Sequence, residues 1–102
     1  MSVTRTFTVT VQSTGSGNKY FIDGVQQDTL TLGETGTYKF DQSDSSNSSH
    51  PLRFSTTSDG THNSGSQYTT GVTTSGTPGQ AGAYTQIVVA TSAPTLYYYC
   101  TV

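Results

Sequence analysis

The sequence is poor in charged residues, in cysteine and in long apolar runs. Only ten of its 102 residues are charged, and the formal net charge is −2. The four basic residues are dispersed at Arg5, Lys19, Lys39 and Arg53, whereas phosphate binding requires a basic stripe. Nucleic acid is therefore not an expected partner.

Segments for membrane insertion or export are also missing from the sequence. No run approaches the roughly 20 apolar residues of a membrane-spanning helix. The opening Met1 to Arg5 lacks the apolar stretch of a secretory signal. We therefore expect no membrane partner, and a protein that stays in the compartment where it is made. The one cysteine, Cys100, cannot form an internal disulfide, so packing and backbone hydrogen bonds must hold the fold.

Serine and threonine dominate what is present, with 14 Ser and 21 Thr. A low apolar content is typical of disordered chains when it is combined with a high net charge, but here the net charge is small. Threonine is β-branched and the chain carries seven Tyr and four Phe, all of which favour strands. A chain of this length can bury one core, which predicts a single domain over residues 1–102.

Alternating residues define the predicted strands. In the first segment Val3, Arg5, Phe7, Val9 and Val11 alternate with threonines, the period of a strand with one buried face. Further strands are predicted at residues 20–22, 30–32, 38–40, 52–54, 83–90 and 96–102, with one weak strand within 55–82. Turn signals recur roughly every 8 to 12 residues, and no segment shows a helical period. The pattern predicts an all-β, antiparallel Greek-key β-sandwich of seven or eight strands.

The first strand is also a candidate assembly edge. It is long and carries few charges, and an unpaired edge of a sandwich offers backbone groups to a neighbouring subunit. We therefore expect an assembly contact along Val3, Arg5, Phe7, Val9 and Val11. Neutral Ser, Thr and Gly loops would allow close contact at little desolvation cost for charges.

Two residues, His50 and Cys100, are the candidate metal ligands. His50 follows the polar run Asn47-Ser48-Ser49, and Cys100 ends an aromatic segment that begins at Leu96. Thiolate sulfur and imidazole nitrogen are donors that soft and borderline metal ions accept. A hydrogen-bonding histidine and a buried, inert thiol are the alternatives.

These two segments, His50-Pro51-Leu52-Arg53-Phe54 and Leu96 to Cys100, resemble the cupredoxin pattern. The resemblance implies a fold in which a His after a polar turn and a Cys ending an aromatic strand bind copper. It also implies a second His and a weak axial Met shortly after the Cys. The sequence ends at Val102, and the other candidates, His62 and Met1, lie elsewhere. We therefore expect an incomplete or vestigial copper site, and no cofactor unless the chain is longer.

A more specific resemblance concerns the stretch from His50 to His62 and the later Tyr68 to Thr73. These segments are similar to domains in virion structural proteins of tailed phages that infect marine cyanobacteria. The resemblance implies a protein made in the host cytoplasm and localised to the virion, in a homo- or hetero-oligomeric assembly with other virion proteins. The function expected first is therefore a noncatalytic capsid decoration, cement or fibre component that acts through protein–protein contacts.

Catalysis has little support, because no Gly-x-Ser-x-Gly elbow, carboxylate pair, P-loop or dinucleotide-binding pattern occurs. Two other functions stay open. One is a copper-binding electron carrier whose last ligands follow Val102. The other is a carbohydrate-binding sandwich that presents tyrosine side chains to glycans.

Overall fold

A computed structural model of the chain describes residues 5–15, 17–26, 32–33, 35–57, 65–91 and 93–100. These residues form nine strands and a single 3₁₀ turn at Ser45–Asn47. The strands are β1 (Arg5–Thr14), β2 (Gly17–Ile22), β3 (Val25–Gln26), β4 (Thr37–Asp41), β5 (Leu52–Ser55), β6 (Gln67–Tyr68), β7 (Val72–Ser75), β8 (Tyr84–Val88) and β9 (Tyr97–Cys100).

The strands form two sheets. The larger has the order β3-β2-β1-β4-β8-β7, and the smaller has the order β6-β5-β9. Neighbouring strands are antiparallel except for β1 and β4, which are parallel. The predicted all-β class is confirmed, but the wholly antiparallel arrangement is wrong at this pair. Parallel strands need a crossover connection. β4 therefore starts at the same end of the sheet as β1.

The nine strands exceed the predicted seven or eight, and the two shortest, β3 and β6, have no counterpart in the prediction. The two-residue strands β3 and β6 are too short to produce a visible alternation in the sequence. Most of the predicted strand at 30–32 lies outside the described residues. Within the described part of the chain, no helix has the length and apolar character needed to cross a membrane.

The core lies between the two sheets. Its buried apolar residues include Phe7, Val9, Ile22, Phe40 and Ile87 from the larger sheet and Leu52 and Phe54 from the smaller sheet. The Phe40 ring is centred 5.0 Å from Phe7 and 5.4 Å from Phe54, so it joins the two layers. Fully burying such a side chain stabilises the fold by roughly 1.5–3 kcal/mol.

The first strand, predicted as an assembly edge, lies inside the strand order of the larger sheet and not at its end. β1 lies between its neighbours, with its first half paired to β4 and its second half to β2. Phe7 and Val9 are buried, Val11 packs against the core, and Arg5 is exposed. Val3 lies outside the described residues. Within the described residues, each half of β1 therefore has a strand partner on one side only, and the expected assembly contact along this strand stays a prediction.

Candidate metal site at His50 and Cys100

Strand register brings the two predicted metal ligands together. β5 and β9 are antiparallel, with Leu52 opposite Cys100. The segment that leads into β5 therefore runs past the end of β9, and it carries His50 two residues before Leu52. The Sγ atom of Cys100 lies 3.5 Å from Nδ1 of His50, across 50 positions of sequence. Both side chains are half-buried.

The separation of these two atoms suits a shared metal ion. A zinc-like ion held at about 2.3 Å from a thiolate and about 2.0 Å from an imidazole, with a tetrahedral angle, separates sulfur and nitrogen by about 3.5 Å. The same distance also suits a hydrogen bond between the thiol and the imidazole. The distance between the two donor atoms therefore already matches that of a metal-bound pair.

Two buried donors hold the backbone of His50. The hydroxyl of Tyr20 donates to the His50 carbonyl at 2.6 Å, and Nε2 of Gln42 donates to the same oxygen at 2.8 Å. Both side chains are buried. Pro51 follows immediately, and its ring fixes the next backbone angle. On the other side, the His50 N–H donates to the Asn47 carbonyl at 2.8 Å, so the backbone is held before and after the imidazole.

The amide of Gln42 belongs to a larger buried network. Its Nε2 also donates to Oδ1 of Asn47 at 3.0 Å, and its Oε1 accepts from the Leu52 N–H at 3.0 Å. Nδ2 of Asn47 donates to the Val9 carbonyl at 2.7 Å. Because buried polar groups need partners, this network ties β1, the Ser45–Asn47 turn and β5 into one arrangement.

The turn before His50 has its own local supports. The carboxylate of Asp44 accepts a hydrogen bond from the Ser46 N–H at 2.9 Å. Hydrogen bonds from the Ser46 hydroxyl and from that N–H hold the pKa of Asp44 below its usual value. The Ser46 hydroxyl oxygen also accepts from the Val11 N–H at 2.9 Å. The turn therefore abuts β1 where this strand no longer pairs with β4.

Gly79 closes the other side of the same turn. Its N–H donates to the Gln42 carbonyl at 2.8 Å. Its φ of +91° is favourable for glycine alone, and an added Cβ would lie 2.8 Å from the Cα of Ser48. The close approach of this backbone keeps the residues before His50 in place.

Tyr20 also interacts with the second ligand. Burial raises the pKa of the Tyr20 hydroxyl, and a charge interaction and a hydrogen bond with the Cys100 side chain raise it further. Gln42 and Arg53 oppose the rise. The hydroxyl therefore stays protonated and neutral at physiological pH and donates to the His50 carbonyl.

The other potential ligands, His62 and Met1, lie outside the described residues. Among the residues that the structure describes, no group of three or more His, Cys, Asp or Glu side chains is placed to hold a metal ion. This part of the chain therefore contributes two ligands, an imidazole and a thiol.

Three residues of the site were missed by sequence reasoning: Tyr20, Gln42 and Asn47. Gln42 and Asn47 stand out only as two amides in a serine-rich segment, and such residues are common in turns. Tyr20 lies in a segment of alternating apolar residues, as an ordinary core tyrosine does. Their roles depend on partners that are distant in the sequence.

No protein-family model, curated protein or solved structure matches this chain. The resemblance to cupredoxins and to phage virion proteins therefore stays a prediction. So do the noncatalytic role, the virion localisation and the carbohydrate-binding alternative.

Proposed function

We propose that this protein binds a soft metal ion, copper before others, between Sγ of Cys100 and Nδ1 of His50. The observation that supports this best is the 3.5 Å separation of the two atoms. Thiolate and imidazole are donors that Cu(I), Cu(II) and Zn²⁺ accept, whereas Mg²⁺ and Ca²⁺ prefer oxygen. A bound copper ion would supply one-electron redox chemistry.

The surroundings of the two donors agree with this proposal. Both side chains are half-buried, so the pair is partly shielded from solvent and partly accessible to it. The hydrogen bonds on the His50 carbonyl and the Gln42–Asn47 network form an outer shell of the kind that orients metal ligands. Any further ligand would come from outside the described residues or from solution.

The proposal includes a cupredoxin-like, Greek-key arrangement of the sandwich. Its support is the placement of the two ligands, with His50 directly before β5 and Cys100 at the end of the neighbouring strand β9. A polar turn precedes the histidine and an aromatic strand precedes the cysteine, as the resemblance implies.

Titration with Cu(I) against a coloured Cu(I) chelator tests the proposal. We expect the wild-type protein to take one equivalent of Cu(I) from the chelator. Loss of either ligand, in Cys100→Ser or His50→Gln, is expected to lower the affinity about 100-fold or more, because loss of an outer-shell partner alone costs 10–100-fold. Asn18→Ala is the control, since it removes an exposed side chain on β2 that is not a metal ligand.

Circular dichroism of each variant checks that the fold is retained. A wild-type protein that competes for Cu(I) no better than Cys100→Ser would contradict the proposal. Addition of Cu(II) gives a second readout, because a strong thiolate-to-copper charge-transfer band shows the oxidised ion on the sulfur.

A second candidate function is an assembly role, such as that expected of a virion component. The strand that favours this role is β7 and not β1. β7 ends the larger sheet, and its residues after Val72 are exposed. After Asp59 the sequence contains no charged residue. Edge strands are commonly protected by charges, so an uncharged β7 supports edge-to-edge pairing with another protein copy.

A lysine placed on β7 tests this candidate. We expect the wild-type protein to associate with rising concentration in sedimentation velocity, and Thr74→Lys to remain monomeric because the charge opposes pairing. Thr8→Lys is the control, since Thr8 is exposed on the interior strand β1, opposite Asp41. Monomers for all three proteins would contradict self-assembly through this edge.

A further inference from the structure

We propose that Asp23 is a site of spontaneous isoaspartate formation, and that the fold slows this reaction by holding the Asp23 carboxylate against β1. Neither metal ligand takes part in it. Asp23 and Gly24 form the two-residue turn between β2 and β3, and their φ angles of +50° and +86° are those of a type I′ hairpin turn. The Asp23 side chain is 38% exposed, so water reaches its carboxyl group.

An aspartate followed by glycine can close a ring with the main chain. The Gly24 nitrogen attacks Cγ of Asp23 and loses its proton, a C–N bond forms, and one carboxyl oxygen leaves as water. Water then opens the resulting succinimide at either carbonyl. One opening restores aspartate, and the other gives isoaspartate, in which the main chain runs through the former side chain. The net reaction is an isomerisation, and glycine favours it because no side chain hinders the attacking nitrogen.

Two donors on β1 hold the Asp23 carboxylate. Its Oδ1 accepts from the Thr8 N–H at 2.8 Å, and its Oδ2 lies 3.1 Å from Nη2 of Arg5. The Arg5 guanidinium is itself placed over the Phe7 ring, 4.4 Å from the ring centroid. Hydrogen bonds that involve an ionised group are stronger than neutral ones. One carboxyl oxygen must leave as water, so at least one of these bonds has to break before the ring closes.

The main chain of Asp23 is fixed by the same strand. Its N–H donates to the Thr8 carbonyl at 2.8 Å, which continues by one position the register in which Val9 faces Ile22. The carboxylate accepts from the Thr8 N–H in place of a main-chain carbonyl. Isomerisation adds a methylene carbon to the main chain at this point and moves the carboxylate. We therefore expect the Thr8 N–H to exchange with solvent faster in the isomerised protein.

Peptide mapping of protein kept at physiological temperature and mildly acidic pH measures isoaspartate at Asp23. A synthetic peptide of residues 18–27 is the unfolded reference. We expect the folded protein to react about tenfold more slowly than the peptide or slower still, because a hydrogen bond to a charged group has to break. The other Asp-Gly pair of the sequence, Asp59-Gly60, is read separately in a different peptide.

Arg5→Gln tests the ion pair, and we expect it to raise the rate about two- to fivefold, the range of an exposed salt bridge. Lys19→Gln is the matched control, because it removes a positive charge from β2 at a position that pairs with Gln12 and not with the turn. Raised salt gives a test without substitution, since it screens an exposed ion pair and is expected to speed the wild-type reaction relative to the peptide.

Two results would overturn the proposal. One is a folded wild-type protein that forms isoaspartate at Asp23 as fast as the peptide does. The other is an Arg5→Gln protein that reacts no faster than Lys19→Gln.

Discussion

Phe40→Ala is expected to lower the free energy of unfolding by about 3–5 kcal/mol, the usual cost of removing a large buried aromatic side chain. Phe40 is 0% exposed, and its ring contacts Phe7 in its own sheet and Phe54 in the opposite sheet. The substitution leaves a cavity that neither layer can fill alone. Urea denaturation followed by circular dichroism measures the loss.

Two further substitutions make this result specific to the interface between the sheets. Phe40→Leu retains most of the volume and is expected to cost less than about 1.5 kcal/mol. Tyr97→Ala removes an aromatic side chain that is 42% exposed and is expected to have a small effect. A Phe40→Ala protein no less stable than Tyr97→Ala would show that the two sheets do not pack through this ring.

Asn47→Ala is expected to destabilise the protein by about 2–4 kcal/mol, because each buried polar group left without a partner costs roughly 1–3 kcal/mol. Asn47 is 0% exposed. Its side chain donates to the Val9 carbonyl and accepts from Gln42, so truncation removes partners from both residues. Chemical denaturation gives the change in stability, and the His50 ring signals report whether the site shifts with the turn.

The matched control is Asn18→Ala, which removes an exposed asparagine on β2. A surface substitution of this kind usually changes stability by no more than about 0.5 kcal/mol. Equal stability of the Asn47→Ala and Asn18→Ala proteins would mean that the buried network does not hold the turn against β1.

The local features of the fold were accessible from the sequence. Phe7 and Val9 are buried because alternating side chains of a strand point to opposite faces, and a period of two can be recognised within a few residues. The same holds for β8, where Thr85 and Ile87 are buried between half-buried neighbours. Such patterns depend only on adjacent positions.

The order of the strands was not accessible in the same way. β1 carries little charge, which would leave an edge unprotected, but a strand rich in threonine and valine is equally suited to the interior of a sheet. The position of β1 inside the sheet depends on its parallel pairing with β4, and this pairing depends on the path of the chain between the two strands. The alternation of side chains along a sequence carries no information about that path.

The two ligands of the site were identified from local resemblance, but their contact depends on register. A one-residue slip between β5 and β9 would turn Cys100 to the other face and separate it from His50. The Tyr20 contact joins positions 30 residues apart, and nothing near Tyr20 in the sequence distinguishes it from other core tyrosines.

X-ray absorption at the copper edge tests the central claim most directly. For the Cu(I)-loaded wild-type protein we predict one sulfur and at least one nitrogen in the first coordination shell, and loss of the sulfur in Cys100→Ser. A first shell of only nitrogen and oxygen in the wild-type protein would contradict a metal site at Cys100 and His50.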